Sequence, residues 1–186
     1  MEGESFSPRL VVELGMGDGT LLEILAQRNQ NSMYIGIEVN LEQCIQARSR
    51  ISLPNVIITN NSIKDVVPMF LNESVDEFIT ALPDPTFIDQ KNERQWKEFY
   101  ESVYCKLKKY GHLQIITELT DELLQPISDD NYSAWADWLK SCFISLGFSV
   151  ASEHEGAPNH YKSRCIEQFR GDPERIRMIT LDLVRS

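Results

Sequence analysis

Four acids in this chain stand where apolar runs end, and their neighbours give them chemical meaning. Glu13 lies near the end of Leu10-Val11-Val12-Glu13-Leu14, just ahead of glycines at 15, 17 and 19. Glu38 follows Met33-Tyr34-Ile35-Gly36-Ile37, Asp84 stands between Pro83 and Pro85, and Glu118 follows Ile115-Ile116-Thr117. Alternate glycines permit backbone angles that a Cβ forbids and let a flat ligand lie against bare main chain. The N–H groups at the following helix start attract an electron-rich group. An acid about 20 residues after such a turn is placed to accept two hydrogen bonds from a ribose diol. Prolines on both sides of Asp84 fix the backbone and direct Leu82 and Asp84 toward extended geometry. Most turns manage with Gly or Asn, so a stiff tip carrying a carboxylate points to a functional role for Asp84.

The elements that must position these residues follow from the apolar pattern. Strands are expected at residues 10–14, 33–40, 56–60, 75–82 and 112–116, with helices at 20–26, 41–50, 63–70, 94–109 and 133–146. Asn40 caps the helix at 41–50, whose spacing sets Leu41, Ile45 and Arg48 on one face. The helix at 94–109 buries Trp96, Phe99, Tyr100, Val103 and Leu107, with Lys106, Lys108 and Lys109 favouring the dipole at its C-terminus. Trp135, Trp138, Leu139 and Phe143 pack the helix at 133–146, which Gly147 caps. Residues 149–155 and 176–184 pair as the last two strands, separated by an excursion at 156–175; residues 119–131, acidic and irregular, lie over the mouth of the site. Alternating strands and helices closed by an antiparallel pair make an α/β fold: a Rossmann-like doubly wound sheet, mostly parallel with a C-terminal antiparallel hairpin. All four acids then sit at carboxyl ends of strands, where such sheets bind ligands.

With 186 residues, 42% of them hydrophobic, residues 1–186 suit a single domain with a sizeable core. The chain begins almost directly at its first strand, so any N-terminal extension is very short and lacks a signal pattern. No run approaches the roughly 18–20 apolar residues of a membrane helix. Cysteines at 44, 105, 142 and 165 form no C-x-x-C pair, which fits a reduced cytoplasmic setting and argues against a zinc or other metal site. The formal charge of −10 argues against broad, non-specific grip on phosphate backbones. Only residues 162–177 are locally basic, with Lys162, Arg164, Arg170, Arg175 and Arg177 against Glu167, Asp172 and Glu174.

The spacing Glu13-x-Gly15-x-Gly17-x-Gly19 differs from the G-x-G-x-x-G of a dinucleotide loop and resembles motif I of the class I S-adenosylmethionine methyltransferases. In that family the acid contacts the methionine ammonium. Four stretches together resemble the tRNA (guanine-N7) methyltransferases: Glu13-Leu14-Gly15-Met16-Gly17, Tyr34-Ile35-Gly36-Ile37-Glu38-Val39, Leu82-Pro83-Asp84-Pro85, and Leu107 through Leu113 running to Thr117-Glu118. The resemblance implies S-adenosylmethionine as cofactor, held by Glu13, Gly15, Gly17, Gly19, Glu38, Val39, Asn61 and Ser62. Asn61 would face the adenine amino group, although an ordinary turn or cap explains it equally well. Asp84 and Glu118 take the catalytic carboxylate roles, and Pro83, Pro85 and Thr117 lie beside the acceptor. The basic run that follows this proline-flanked acid in the family is missing: residues 83–96 carry Lys91 and Arg94 against Asp84, Asp89 and Glu93. The family's C-terminal signature is also missing. If RNA binds, Arg164 and Arg170 are the expected phosphate contacts. The resemblance therefore implies a methyltransferase transferring a methyl group to N7 of a guanosine in tRNA. A related enzyme acting on another RNA position, a protein or a small molecule, and a non-catalytic binding module, remain open alternatives, as do a monomer and a homodimer.

Overall fold

The computed structural model describes residues 8–186, and its seven strands form one sheet in the order β3-β2-β1-β4-β5-β7-β6. The expectation of a very short N-terminal extension concerns residues 1–7, which lie outside the described residues. The strands are β1 Leu10–Leu14, β2 Met33–Glu38, β3 Val56–Asn60, β4 Val75–Ala81, β5 Leu107–Thr120, β6 Phe148–Glu155 and β7 Ile176–Arg185. The helices are α1 Thr20–Arg28, α2 Leu41–Arg50, α3 Ile63–Val66, α4 Glu93–Lys106, α5 Asp129–Ser145 and α6 Arg164–Arg170. From β3 through β5 each strand pairs parallel with its neighbour, and only β7 runs against the two strands beside it. The chain winds outward in one direction from β1 and in the other from β4. Their carboxyl ends therefore form the switch point at which such sheets open a crevice.

Alternation along the strands sends side chains into two cores. On one face Val12, Leu14, Phe78, Leu113 and Ile115 meet Trp96, Tyr100 and Val103 of α4 and Leu139 and Phe143 of α5. On the other, Val11, Ile79 and Ile116 meet Leu21, Leu22 and Ala26 of α1, Cys44 and Ala47 of α2, and Ile166 of α6. Both β2 and the glycine loop are held tight here. A Cβ on Gly36 would lie 2.3 Å from Met16 Sδ and 2.7 Å from Leu22 Cδ2, so any larger residue would have to displace both side chains. Serine and asparagine caps start four of the helices. Asn40 accepts from the N–H groups of Glu42 and Gln43, and Ser62, Ser128 and Ser163 cap α3, α5 and α6.

The structure departs from the sequence-based expectations at five places. Helix α5 begins at Asp129, inside the stretch 119–131 expected to be irregular, because Ser128 caps it and Asp129 and Asp130 favour its first turn. The buried face of α2 is Cys44 and Ala47, whereas Leu41 and Ile45 are exposed, because small residues are what let α2 approach Gly19 and β2 closely. Helix α4 ends at Lys106. Leu107 is fully buried opposite Val75, so strand pairing overrides helix propensity, and Lys108 reaches Asp76 instead of a helix C-terminus. A bulge follows, with Tyr110 at φ 63°. Leu82 is left-handed, φ 53°, where the proline after it pointed to extended backbone. Its N–H donates to the Ile116 carbonyl at 2.7 Å, and β5 thereby holds a conformation disfavoured for leucine. Finally, the 156–175 excursion contains α6. Among the described residues no helix is long and apolar enough to cross a membrane.

Candidate active site

Three adjoining cavities open at the carboxyl ends of β1, β2, β4 and β5. The largest, about 740 Å³, lies between the glycine loop and α6, and Glu13, Gly15, Gly17, Glu38, Tyr161 and Arg164 are among its lining residues. Gly15 and Met16 donate to the Ile37 carbonyl at 2.9 and 3.0 Å, which folds the loop over the tip of β2. Glu38 completes it: Oε2 accepts from Gly17 N at 2.9 Å and Oε1 from Asn40 N at 2.8 Å. Each oxygen keeps further acceptor capacity toward the cavity. Glu13 is 3% exposed, and among the described residues its Oε2 has no hydrogen-bond partner. Burial, reinforced by Asp18 and Glu38, pushes its carboxyl well above the usual range against the Leu22 backbone N–H. A buried carboxylate facing an open cavity is poised for a cation. Gly19 lines none of the three cavities. Left-handed at φ 74°, it starts α1 against Ala47 and Ile51.

The second cavity, about 280 Å³, is a mostly apolar slot. Leu14, Ile37, Val39, Ile63 and Phe87 wall it, and Glu38, Asn61, Ser62 and Asp84 add polar groups at its rim. Asn61 donates to Thr59 Oγ1 at 2.9 Å, which leaves its side-chain carbonyl free to accept. Ser62 caps α3 through Lys64 N.

The third cavity, about 440 Å³, is lined by Pro83, Pro85, Thr117, Glu118 and Trp135, together with Asp89, Lys91 and Glu122. Asp84 Oδ1 accepts from Thr86 N at 2.9 Å and Thr86 Oγ1 at 2.7 Å, capping the 3-10 turn Pro85–Phe87. Those two bonds hold its carboxyl below the usual range, so it is ionised, with the other oxygen unengaged. Glu118 is the opposite case. It is half-buried, its Oε2 and the neighbouring Thr117 Oγ1 lack partners among the described residues, and burial pushes its carboxyl up to about 7. Leu82 lines the first two cavities, and Pro83 lines the second and third.

Thus the structure gathers Glu13, Gly15, Gly17, Glu38, Val39, Asn61, Ser62, Asp84, Pro83, Pro85, Thr117 and Glu118 around one connected opening. Arg170 stands apart from it. Its guanidinium donates to the carbonyls of Ala157, Pro158 and Tyr161 and pairs with Glu167, binding the excursion together. Tyr161 is a residue the sequence did not single out. It is 3% exposed and donates its hydroxyl to Gln114 Oε1 of β5. A lone tyrosine in an aperiodic segment carries no signal of such a role.

Residues 7–135 match the family model described as "Putative methyltransferase". The chain belongs to that methyltransferase family. It is 28% identical over 169 residues to the tRNA (guanine-N(7)-)-methyltransferase of Campylobacter fetus subsp. fetus (strain 82-40), an overlap of 87% of this chain and 40% of that protein. It is 30% identical over 115 residues to the tRNA (guanine-N(7)-)-methyltransferase of Buchnera aphidicola subsp. Baizongia pistaciae (strain Bp), over 59% of this chain and 48% of that one. The chain thus spans less than half the length of these curated relatives. In fold it is similar to the 16S rRNA methyltransferase KamB, with a TM-score of 0.75 at 14% identity, covering 98% of this chain and 90% of the other. That likeness places the sheet among the class I methyltransferase folds.

Proposed function

We propose that this methyltransferase binds S-adenosylmethionine at the tips of β1 and β2 and methylates N7 of a guanosine in tRNA. The observation that carries the reading is Pro83, the shared wall between the slot beside Glu38 and the cavity holding Glu118. Donor and acceptor on either side of one stiff tip are within reach of in-line transfer.

The residues present fit the donor. Glu13 offers an unpaired buried oxygen to an ammonium, Glu38 retains acceptor capacity for a ribose diol, and the apolar slot with Asn61 suits a purine. Gly15 and Gly17 present bare backbone, with nothing within 4 Å of where a Cβ would stand. Bound there, S-adenosylmethionine supplies an electrophilic methyl group on a sulfonium. Guanine N7 carries a lone pair and no proton at neutral pH, so the protein must supply alignment and electrostatics rather than a base. Ionised Asp84 favours the positive charge that develops on the purine, and Glu118 with Thr117 offers hydrogen-bonding groups to the base edge. The names of both bacterial relatives support tRNA as acceptor.

A second acceptor class has its own support. Asp89, Glu118 and Glu122 line the acceptor cavity against Lys91 alone, and Lys91 is paired with Glu122 at 2.8 Å. That lining suits a protein or small-molecule acceptor better than a polyanion. Transfer of labelled methyl to total small RNA, followed by nucleoside analysis, decides between them. Label in N7-methylguanosine is the expected result. Label in another nucleoside moves the modified position, and no label despite tight S-adenosylmethionine binding overturns the RNA acceptor.

A further inference from the structure

The largest cavity holds a charge problem that Glu13 alone does not solve. An amino-acid tail brings a carboxylate as well as an ammonium, both attached to one carbon. Three carboxylates line this cavity: Glu13, Asp18 and Glu38. A ligand carboxylate entering among them needs a cation, and the cations lining the cavity are Lys162 and Arg164. Neither takes part in an ion pair or side-chain hydrogen bond among the described residues, whereas most basic side chains of this acidic chain do. Their nearest basic neighbour in sequence, Arg170, is tied to three carbonyls and Glu167.

The excursion has the construction of a cavity wall. Arg170 gathers the carbonyls of Ala157, Pro158 and Tyr161. Tyr161 is buried and bonded to Gln114 of β5, and Ile166 is buried in the core beneath α6. Ser163 starts α6 by capping Ile166 N, which fixes the backbone position of Arg164 next to it. The wall is anchored through Tyr161, Ile166 and Arg170, while Arg164 remains exposed on the cavity side. A guanidinium presents paired N–H donors that match a carboxylate bidentately, which an ammonium cannot do.

We propose that Arg164 is a cofactor-binding residue that holds the methionine carboxylate of S-adenosylmethionine across the cavity from Glu13, which takes the ammonium. The assignment rests on the S-adenosylmethionine reading of the site. It reassigns Arg164 from the phosphate contact that the basic run 162–177 suggested, and it gives the excursion a place in the cofactor site.

The test is calorimetric binding of three ligands to the wild-type protein and to Arg164→Ala and Arg164→Lys. The ligands are S-adenosylmethionine, its decarboxylated analogue, and 5′-methylthioadenosine, which lacks the whole amino-acid tail. Arg164→Ala is expected to weaken S-adenosylmethionine by about 10- to 100-fold, the scale of a lost charge-assisted hydrogen bond. The same variant should leave the other two ligands unchanged, and Arg164→Lys should recover part of the loss. Because Arg164 is exposed and has no ion pair or side-chain hydrogen bond among the described residues, the variant should melt with the wild type. Equal weakening of all three ligands, or of none, overturns the assignment. Weakened RNA binding with intact cofactor binding also overturns it, in favour of the phosphate contact. Failure of the wild-type protein to bind any of the three overturns the S-adenosylmethionine reading itself, and the assignment with it.

Discussion

Asp84 and Glu118 face a common wall with opposite electrostatics, and the difference lies in what surrounds each carboxyl. Two hydrogen bonds from Thr86 keep Asp84 ionised at an exposed tip, whereas Glu118 is half-buried with an oxygen that meets no donor. Asp84→Ala is expected to leave S-adenosylmethionine affinity nearly intact and to lower turnover at least ~100-fold, the scale of losing one key polar group. Single-turnover methyl transfer beside equilibrium binding checks this, and wild-type turnover would remove Asp84 from the mechanism. Glu118 predicts a pH dependence. Its carboxyl is pushed up to about 7 by burial, so activity that uses the ionised form rises with pH through that value, and Glu118→Gln should flatten the limb. Stability runs the other way. A raised pKa means the folded state holds the proton more tightly than the unfolded chain does. Stability is therefore lost as pH rises from the ordinary glutamate value, about 4.3, through the folded-state value. Relative to wild type, Glu118→Gln should gain ~1–3 kcal/mol at pH 8 and nothing near pH 4, read from urea unfolding at the two pH values.

Among the elements, the 156–175 excursion is where backbone rather than periodicity sets the structure. No regular apolar spacing spans it, and a single guanidinium gathers its carbonyls. Arg170→Ala is expected to destabilise the protein by ~1–3 kcal/mol, the cost of leaving half-buried acceptors unsatisfied. Hydrogen exchange should rise selectively between residues 156 and 171. Cofactor affinity should fall as well, because Tyr161 and Arg164 share that wall. Unchanged exchange in this segment would show that Tyr161 and Ile166 anchor it without Arg170. The Leu82 turn is a second case. Its left-handed backbone is imposed by β5 through the Ile116 carbonyl, and it aims the proline-flanked tip between two cavities.

At the scale of the whole molecule, charge governs how the protein meets a partner. The formal charge is −10, and pairs such as Arg9–Glu77, Lys97–Glu93, Lys108–Asp76 and Arg185–Glu73 neutralise cations that would otherwise face a phosphate backbone. Binding of tRNA by this chain is expected to be weak, with a log–log salt slope of only about −1 to −3, because few phosphates meet an unpaired cation. Filter binding across a salt series measures it. A slope steeper than about −5 would require a basic surface beyond the residues named above.

The sequence by itself determined the order of strands and helices outside the 156–175 excursion, the glycine loop and its two acids, and the proline-flanked carboxylate. Each is local: a run of β-branched residues, a cap such as Asn40, a glycine that only positive φ or close packing explains. The α2 face, the end of α4 and the backbone of Leu82 were decided by tertiary structure. In each case a neighbouring strand or helix supplied what overrode local preference: the close approach of Gly19 to Ala47, the pairing of Leu107 with Val75, and the carbonyl of Ile116. That Arg164 and Glu13 line one cavity likewise belongs to the fold. Some 150 residues of chain separate those two side chains, and the packing of Ile166 of α6 into the core beside β1 and α1 brings them to one cavity.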